Sequence, residues 1–270
     1  MLTSAGSEQL TALFGLEGQS AVVTGAAAGI GRSVATLFAT AGANVACADI
    51  DADRLAATVR EINLEAGRTA AIAVPTDISD EAAVRALYAA AASAFNAVTV
   101  VANVAGIVKR RAFEELSVED YDRSHAINSR GTFLSMREAI GHMRAQNSGG
   151  SIINISSVAS QRAAILHQCH YGASKASVNA LTTSLALEVG ADNIRINAIL
   201  PGGIPGERTA RENTPAMAPV EGPLAHLERI PLGRYGAQIE IASAVLFLAS
   251  PAAKYITGQL LAVDGGFCTS

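Results

Sequence analysis

Tyr171 and Lys175 stand four residues apart in the stretch "YGASK", a spacing that puts a phenol and an ammonium on one face of a helix. A free tyrosine has a pKa of about 10 and is a poor base at neutral pH. A nearby positive charge favours the phenolate, and one lysine on the same face can supply much of that shift in a partly dry site. The pair therefore reads as a general acid/base with its tuning cation. Taken alone, the same two residues also suit a solvated helix face. The segment before them carries Ser156, Ser157, Ser160, His167 and His170. A serine hydroxyl there could hold a substrate oxygen as charge develops on it.

A second group with chemical potential lies near the start. In "VVTGAAAGIGR", Gly25, Gly29 and Gly31 follow an apolar run and open a helical one. They let the backbone turn tightly and approach a pyrophosphate, whose charge a helix N-terminus favours. The spacing is GxxxGxG rather than GxGxxG. About twenty residues on, Asp49 ends the next apolar run, where a carboxylate can accept hydrogen bonds from an adenosine ribose. The same charge repels the additional phosphate of NADP, and Ala26 to Ala28 and Ile50 offer no cation to offset it. NAD is the expected cofactor, with Arg32 the one nearby base that bears against it.

These residues need a scaffold. Apolar runs of strand length occur at 20–24, 44–48, 69–74, 98–103, 151–156, 194–200 and 259–263, with helical patterns at 30–41, 52–66 and 80–95 among them. Strands apolar on both faces and alternating with helices predict an α/β fold: a doubly wound, right-handed, seven-stranded parallel sheet with helices on both faces. A ligand crevice is expected at the carboxyl ends of its strands. One domain over 1–270 is expected, since no linker or repeat breaks the pattern. Residues 202–230, rich in proline, glycine and charge, read as a substrate-binding flap.

Bulk composition narrows the classes. Half the 270 residues are apolar and 16% are charged, enough to bury a large core. The net charge of −4 argues against a nucleic-acid partner. No apolar run is long enough to span a bilayer, and "MLTSAGSEQL" lacks a basic signal-peptide start, so the expected location is cytoplasmic, without a membrane partner. Cys47, Cys169 and Cys268 have neither an even count nor CxxC spacing, so neither a disulfide framework nor a metal site is expected.

The ordered set "TGAAAGIG", "NVAG", Asn128 in "HAINSRGTF", "INISS", "YGASK", "IRINAILPGG" and "YITGQLLAVDGG" resembles the short-chain dehydrogenase/reductase family over about residues 14 to 267. The resemblance implies a Rossmann-type sheet. The ungapped Tyr171–Lys175 spacing looks unlike the family's enoyl reductases, and the glycine spacing unlike its epimerase branch. The resemblance further implies that Ile30 joins Gly25, Gly29 and Gly31 around the pyrophosphate, and that Asp77 and Ile78 flank the adenine. It places Asn103, Ala105 and Gly106 on the adenosine side, and Pro201, Gly202 and Ile204 at the nicotinamide end. By the same resemblance Ser157, rather than Ser156, holds the substrate oxygen. Lys175 binds the nicotinamide ribose while tuning Tyr171, and Asn128 anchors a water that relays protons to solvent.

Three positions depart from the family pattern. Val104 stands where a second asparagine is usual, Gly206 where a threonine is, and the interval from Ser157 to Tyr171 is slightly long. Residues 161–170 within it are expected to wall the substrate pocket, with His167, Gln168, Cys169 and His170 each either binding there or sitting at a subunit contact or in solvent, while Arg208 and Arg211 of the flap could clamp an anion. The implied reaction interconverts a secondary alcohol and a ketone, with a 3-oxoacyl thioester reductase or a non-catalytic NAD(H)-binding sensor as alternatives. The resemblance also implies a homotetramer. Small residues Ala173, Ala176 and Ala180 on helix 172–189 would permit the close packing that requires.

Overall fold

The computed structural model describes residues 4–206 and 221–270. Its strands are β1 (Ser20–Thr24), β2 (Asn44–Asp49), β3 (Ala71–Pro75), β4 (Val100–Asn103), β5 (Gly150–Ile155), β6 (Ile194–Pro201) and β7 (Leu260–Val263). All pair in parallel, in the order 3-2-1-4-5-6-7. The order reverses between β1 and β4, so a crevice opens beyond their carboxyl ends.

Successive residues of each strand face opposite cores. Val23, Val45, Cys47 and Ile153 pack with Val34 and Phe38 of α2 (Gly29–Thr40), Leu55 of α3 (Ala52–Ala66) and Val245 of α8 (Gln238–Ala249). Their neighbours Val22, Ala46 and Ile152 pack with Tyr88 of α4 (Glu81–Phe95), Met136 of α6 (Thr132–Gln146) and Ala186 of α7 (Cys169–Val189). A sheet covered on both sides explains why the strands show no polar alternation.

Local chemistry sets the element ends. Asp51 accepts from Arg54 N at 3.1 Å to start α3, and Gly67 ends it at φ 62°. Asp80 accepts from Ala82 N at 2.8 Å and caps α4, so the expected helix at 80–95 begins at Glu81. The third strand starts at Ala71 rather than 69 because Asn63 Oδ1 takes the N–H groups of Ala70 and Ala71 at 2.8 and 2.7 Å. The fourth starts at Val100 rather than 98, since Val98 N donates to Gln146 Oε1 at 2.8 Å.

Elements that the sequence pattern did not announce include α1 (Ser4–Phe14) and a π-helical turn, Ala126–Gly131, joining α5 (Val118–His125) to α6. No described helix is long and apolar enough to cross a membrane. Of the flap, 202–206 and 221–230 are seen, and its return is tied to 164–166 by Leu166 N to Glu221 O and Leu224 N to Ala164 O, each 2.8 Å. Arg208 and Arg211 lie outside the described residues.

Candidate active site

The crevice at the switch point holds about 1040 Å³. Its first wall is the turn from β1 into α2. Gly25 (φ 70°) passes so close to β4 that a Cβ would sit 2.9 Å from the Ala105 backbone. At Gly31 a Cβ would meet Gly25 O at 2.0 Å, so only glycine lets the helix start fold against the turn. Gly29 differs: at φ 58° its Cβ direction meets nothing within 4 Å. The helix N-cap, Ala28, offers no side-chain acceptor, which leaves the first-turn N–H groups facing a ligand space rather than a cap. Asp49 closes the far side of this turn, with Oδ2 accepting from Ala27 N at 3.1 Å and Oδ1 from Asp51 N at 3.0 Å. Arg32 is directed elsewhere, to Glu61 at 2.6 Å.

At the other end of the crevice, β5 delivers Ser156 and Ser157, and α7 delivers Tyr171 and Lys175. The two serines have different duties. Ser156 Oγ donates to Lys175 O at 3.1 Å and is spent on structure. Ser157 Oγ accepts from Ala159 N at 3.1 Å, which leaves its own proton available. The Ser157 hydroxyl also lies near enough to Tyr171 to draw its pKa downward against burial. Lys175 is buried, and its Nζ donates to Ile155 O at 2.7 Å. A Cβ on Gly106 would come within 3.1 Å of Asn128 Oδ1 and 3.4 Å of Lys175 Nζ, so a bare backbone lets these two groups converge there.

The protein's own groups do not make Tyr171 a phenolate. Burial raises its pKa, and the opposing pull is the Ser157 hydrogen bond rather than Lys175. Burial likewise pulls Lys175 down to about 8. Among the protein's own groups Lys175 does not supply the lowering of Tyr171, because its ammonium is committed to the Ile155 carbonyl and both groups are withdrawn from water.

This geometry meets its counterparts in known proteins. A family model described as enoyl-(acyl carrier protein) reductase matches residues 25–268. The 2,5-dichloro-2,5-cyclohexadiene-1,4-diol dehydrogenase of Sphingobium indicum is 37% identical over 254 residues, covering 93% of this chain and 97% of that one. The chain belongs to the short-chain dehydrogenase/reductase family. Among solved structures, a short-chain type dehydrogenase/reductase from Mycobacterium marinum matches with TM-score 0.85 and 33% identity, covering 96% of this chain and 98% of that one. A protein from Agrobacterium tumefaciens described as a 2-deoxy-D-gluconate 3-dehydrogenase, with bound NADP, matches with TM-score 0.84 and 35% identity, covering 95% and 99%.

As a member of the short-chain dehydrogenase/reductase family, the protein is an oxidoreductase that uses a nicotinamide cofactor. The residues present fit one: the open Gly29 surface, the uncapped start of α2 and the Asp49 carboxylate line one continuous crevice with Ser157, Tyr171 and Lys175. Of the further residues the family pattern implies, Ile30, Asp77, Ile78, Ala105, Gly106, Pro201, Gly202 and Ile204 all line it. Asp77 Oδ1 accepts from Ser79 N and Oγ at 2.9 and 2.7 Å, which with nearby Arg123 and Arg130 lowers its pKa.

Asn103 and Asn128 do not line the crevice. Asn103 is turned into the core, donating to Asn154 Oδ1 at 2.8 Å and accepting from Ser135 Oγ at 2.5 Å. Asn128, inside the π turn, clamps Ile107 through N–H to Oδ1 at 2.8 Å and Nδ2 to O at 2.9 Å, and reaches Ser174 Oγ at 3.0 Å. Of the expected wall at 161–170, none lines this crevice among the described residues. Arg162 instead grips Phe267 O at 3.0 Å, His167 is exposed at φ 62°, and Gln168 and His170 are buried.

Sequence reasoning passed over Thr24, whose Oγ1 accepts from Val104 N and Ala105 N at 3.0 and 3.1 Å and locks β1 to β4 beside the glycine turn. It also passed over Arg123 and Arg130 in the crevice lining. Their spacing of seven, two helical turns, was the available signal.

Proposed function

We propose that this protein is an NAD-dependent oxidoreductase interconverting a secondary alcohol and a ketone, with Tyr171 as general acid/base. The observation that carries the reading is the meeting of Ser157, Tyr171 and Lys175 on one stretch of the crevice. When bound, the cofactor supplies the hydride acceptor or donor. In oxidation, Ser157 turns its single O–H from Tyr171 to the substrate oxygen and Tyr171 takes the hydroxyl proton; in reduction, Tyr171 returns it. Lys175 keeps two donors beyond the one given to Ile155 and uses them on the nicotinamide ribose and on a proton path to solvent, through a water held by Asn128.

The first turn of α2, with Gly25, Gly29, Ile30 and Gly31, holds the pyrophosphate, and Asp49 the adenosine ribose. Asp77 and Ile78 flank the adenine, Ala105 and Gly106 line the adenosine side, and Pro201, Gly202 and Ile204 meet the nicotinamide. NAD is favoured over NADP because Asp49 places a carboxylate at the ribose while Arg32 is engaged by Glu61. The chain acts as a single domain with 202–230 as its flap, in the cytoplasm, and as a homotetramer for which the exposed small face of α7 (Ala173, Ala180) is suited.

The test is NADH formation on a panel of secondary alcohols, polyols, hydroxysteroids and 3-hydroxyacyl thioesters. It is run with NAD and with NADP, beside Tyr171→Phe. Turnover with NAD that vanishes in the variant is expected. Turnover surviving in Tyr171→Phe would remove Tyr171 from the mechanism, and a preference for NADP would overturn the cofactor assignment.

A further inference from the structure

The stripe begun by Tyr171 and Lys175 continues for one more helical turn, to Asn179, which is 8% exposed. Asn179 Nδ2 donates to Ser160 Oγ at 2.8 Å, and Ser160 Oγ donates to the carbonyl oxygen of Ser157 at 2.5 Å. Neither Ser160 nor Asn179 lines the crevice among the described residues. We propose that Asn179 and Ser160 are positioning residues, forming a strut that fixes the Ser157 hydroxyl relative to Tyr171 and Lys175.

The need for such a strut follows from the chain path. Ser157 leaves the end of β5 whereas Tyr171 and Lys175 ride on α7, and residues 158–170 intervene. Covalent continuity over that length does not hold a hydroxyl to hydrogen-bonding accuracy, and small misplacements of reacting groups are costly to rate. The strut joins the two carriers directly. Its direction is informative too. Ser160 has one proton, which goes to Ser157 O, so it accepts from the Asn179 amide. That orientation leaves Asn179 Oδ1 buried without a partner. Turning the amide over would satisfy Oδ1 only by drawing the Ser160 proton away from Ser157. A buried oxygen left unpaired works against stability, so this arrangement serves placement of the serine turn rather than stability.

The inference rests on the catalytic role proposed for Ser157. Its test compares Ser160→Ala, Asn179→Leu, the double variant and Ser160→Thr, with saturating NAD and the best alcohol from the panel. Each of the first two is expected to lower kcat about tenfold while leaving KM for NAD unchanged. The double variant should lose no more than the worse single, because one strut is broken once. Ser160→Thr, which keeps the hydroxyl, should retain the parent rate, and Asn179→Leu should melt no lower than the parent. Parent rates in either single variant, additive losses, or a kcat loss matched by a fall in melting temperature would overturn the proposal.

Should the parent itself turn over nothing, the catalytic reading fails, and the strut is still read by hydrogen exchange on the intact chain. The amides of Ser160, Gln161 and Arg162, which donate to Ser157 O and Val158 O, should exchange faster in Ser160→Ala and Asn179→Leu while those of α7 do not. Unchanged protection there would overturn it as well.

Discussion

Lys175 Nζ donates to the carbonyl oxygen of Ile155 at 2.7 Å, with the lysine only 3% exposed. One carbonyl does not replace the water an ammonium gives up, and burial brings its pKa from 10.5 to about 8. The sign of the linkage follows. Below pH 8 the folded chain carries a charge its site disfavours, while the unfolded chain holds that proton freely up to 10.5. Lys175 therefore costs stability at neutral pH, on the order of 3 kcal/mol, and the cost fades as pH rises between those two values. Thermal melts of Lys175→Met should show a protein at least as stable as the parent at pH 7, with the gap closing in alkali and alcohol oxidation largely lost. A variant that melts lower at pH 7 would mean that the Ile155 bond outweighs burial.

Ser156 and Ser157 are adjacent in sequence but divided in duty, and substitution should separate them. Ser157→Ala removes the donor to the substrate oxygen and the one hydrogen bond drawing the Tyr171 pKa downward. Its kcat should fall by about 10²–10³, and the pH at which oxidation accelerates should move upward, with melting little changed. Ser156→Ala removes the bond to Lys175 O. It should cost about 1 kcal/mol of stability and leave the pH profile in place. Matching kinetic losses in the two variants would erase the distinction.

Gly29 and Gly31 are two residues apart, yet a methyl group tests different things at each. At Gly31 it strikes the Gly25 carbonyl at 2.0 Å, a backbone atom that cannot step aside without moving β1. Gly31→Ala is expected to lose about 1–3 kcal/mol of stability together with cofactor binding. At Gly29 the space is open, and φ 58° costs an alanine only about 1 kcal/mol. Gly29→Ala should fold, melt close to the parent, and show a raised KM for NAD because its methyl enters the pyrophosphate space. Titration of both variants with NAD, followed by calorimetry, separates the two effects.

The strands, the glycine turn and the Tyr171–Lys175 stripe were legible because each carries a local signal: an apolar run, a residue type that the backbone demands, a helical spacing. Asn103 was not legible in the same way. Its strand is apolar on both faces, so nothing in "VVAN" says which way the asparagine turns; alternation puts it on the side of Val101, toward Tyr88 and Met136, where Ser135 and Asn154 take both ends of its amide. The packing of 161–170 was not legible, because it depends on long-range partners, the Phe267 carbonyl and the returning flap, that no spacing announces. The direction of the Lys175 ammonium was hidden for a similar reason: helical spacing gives proximity to Tyr171, but where the ammonium points is set by the end of β5.

Asp49 is where charge and geometry can be separated. Its two oxygens hold Ala27 N and Asp51 N, so the carboxylate braces the glycine turn and also presents negative charge to the crevice. Asp49→Asn keeps the shape and one acceptor while removing the charge. Two like charges about 4 Å apart at a protein surface repel by up to about 4 kcal/mol, less where solvent screens them. Losing that repulsion should raise kcat/KM for NADP relative to NAD by about 10- to 100-fold, with a smaller loss on NAD itself from weaker ribose bonding. Asp49→Ala should add a loss on both cofactors, because the turn then loses its brace. The measurement is the ratio of kcat/KM for the two cofactors in parent, Asp49→Asn and Asp49→Ala on one alcohol. A ratio unmoved by Asp49→Asn would mean that the carboxylate acts as a brace alone, and selectivity would then have to come from the backbone of 26–28 or from Ile50.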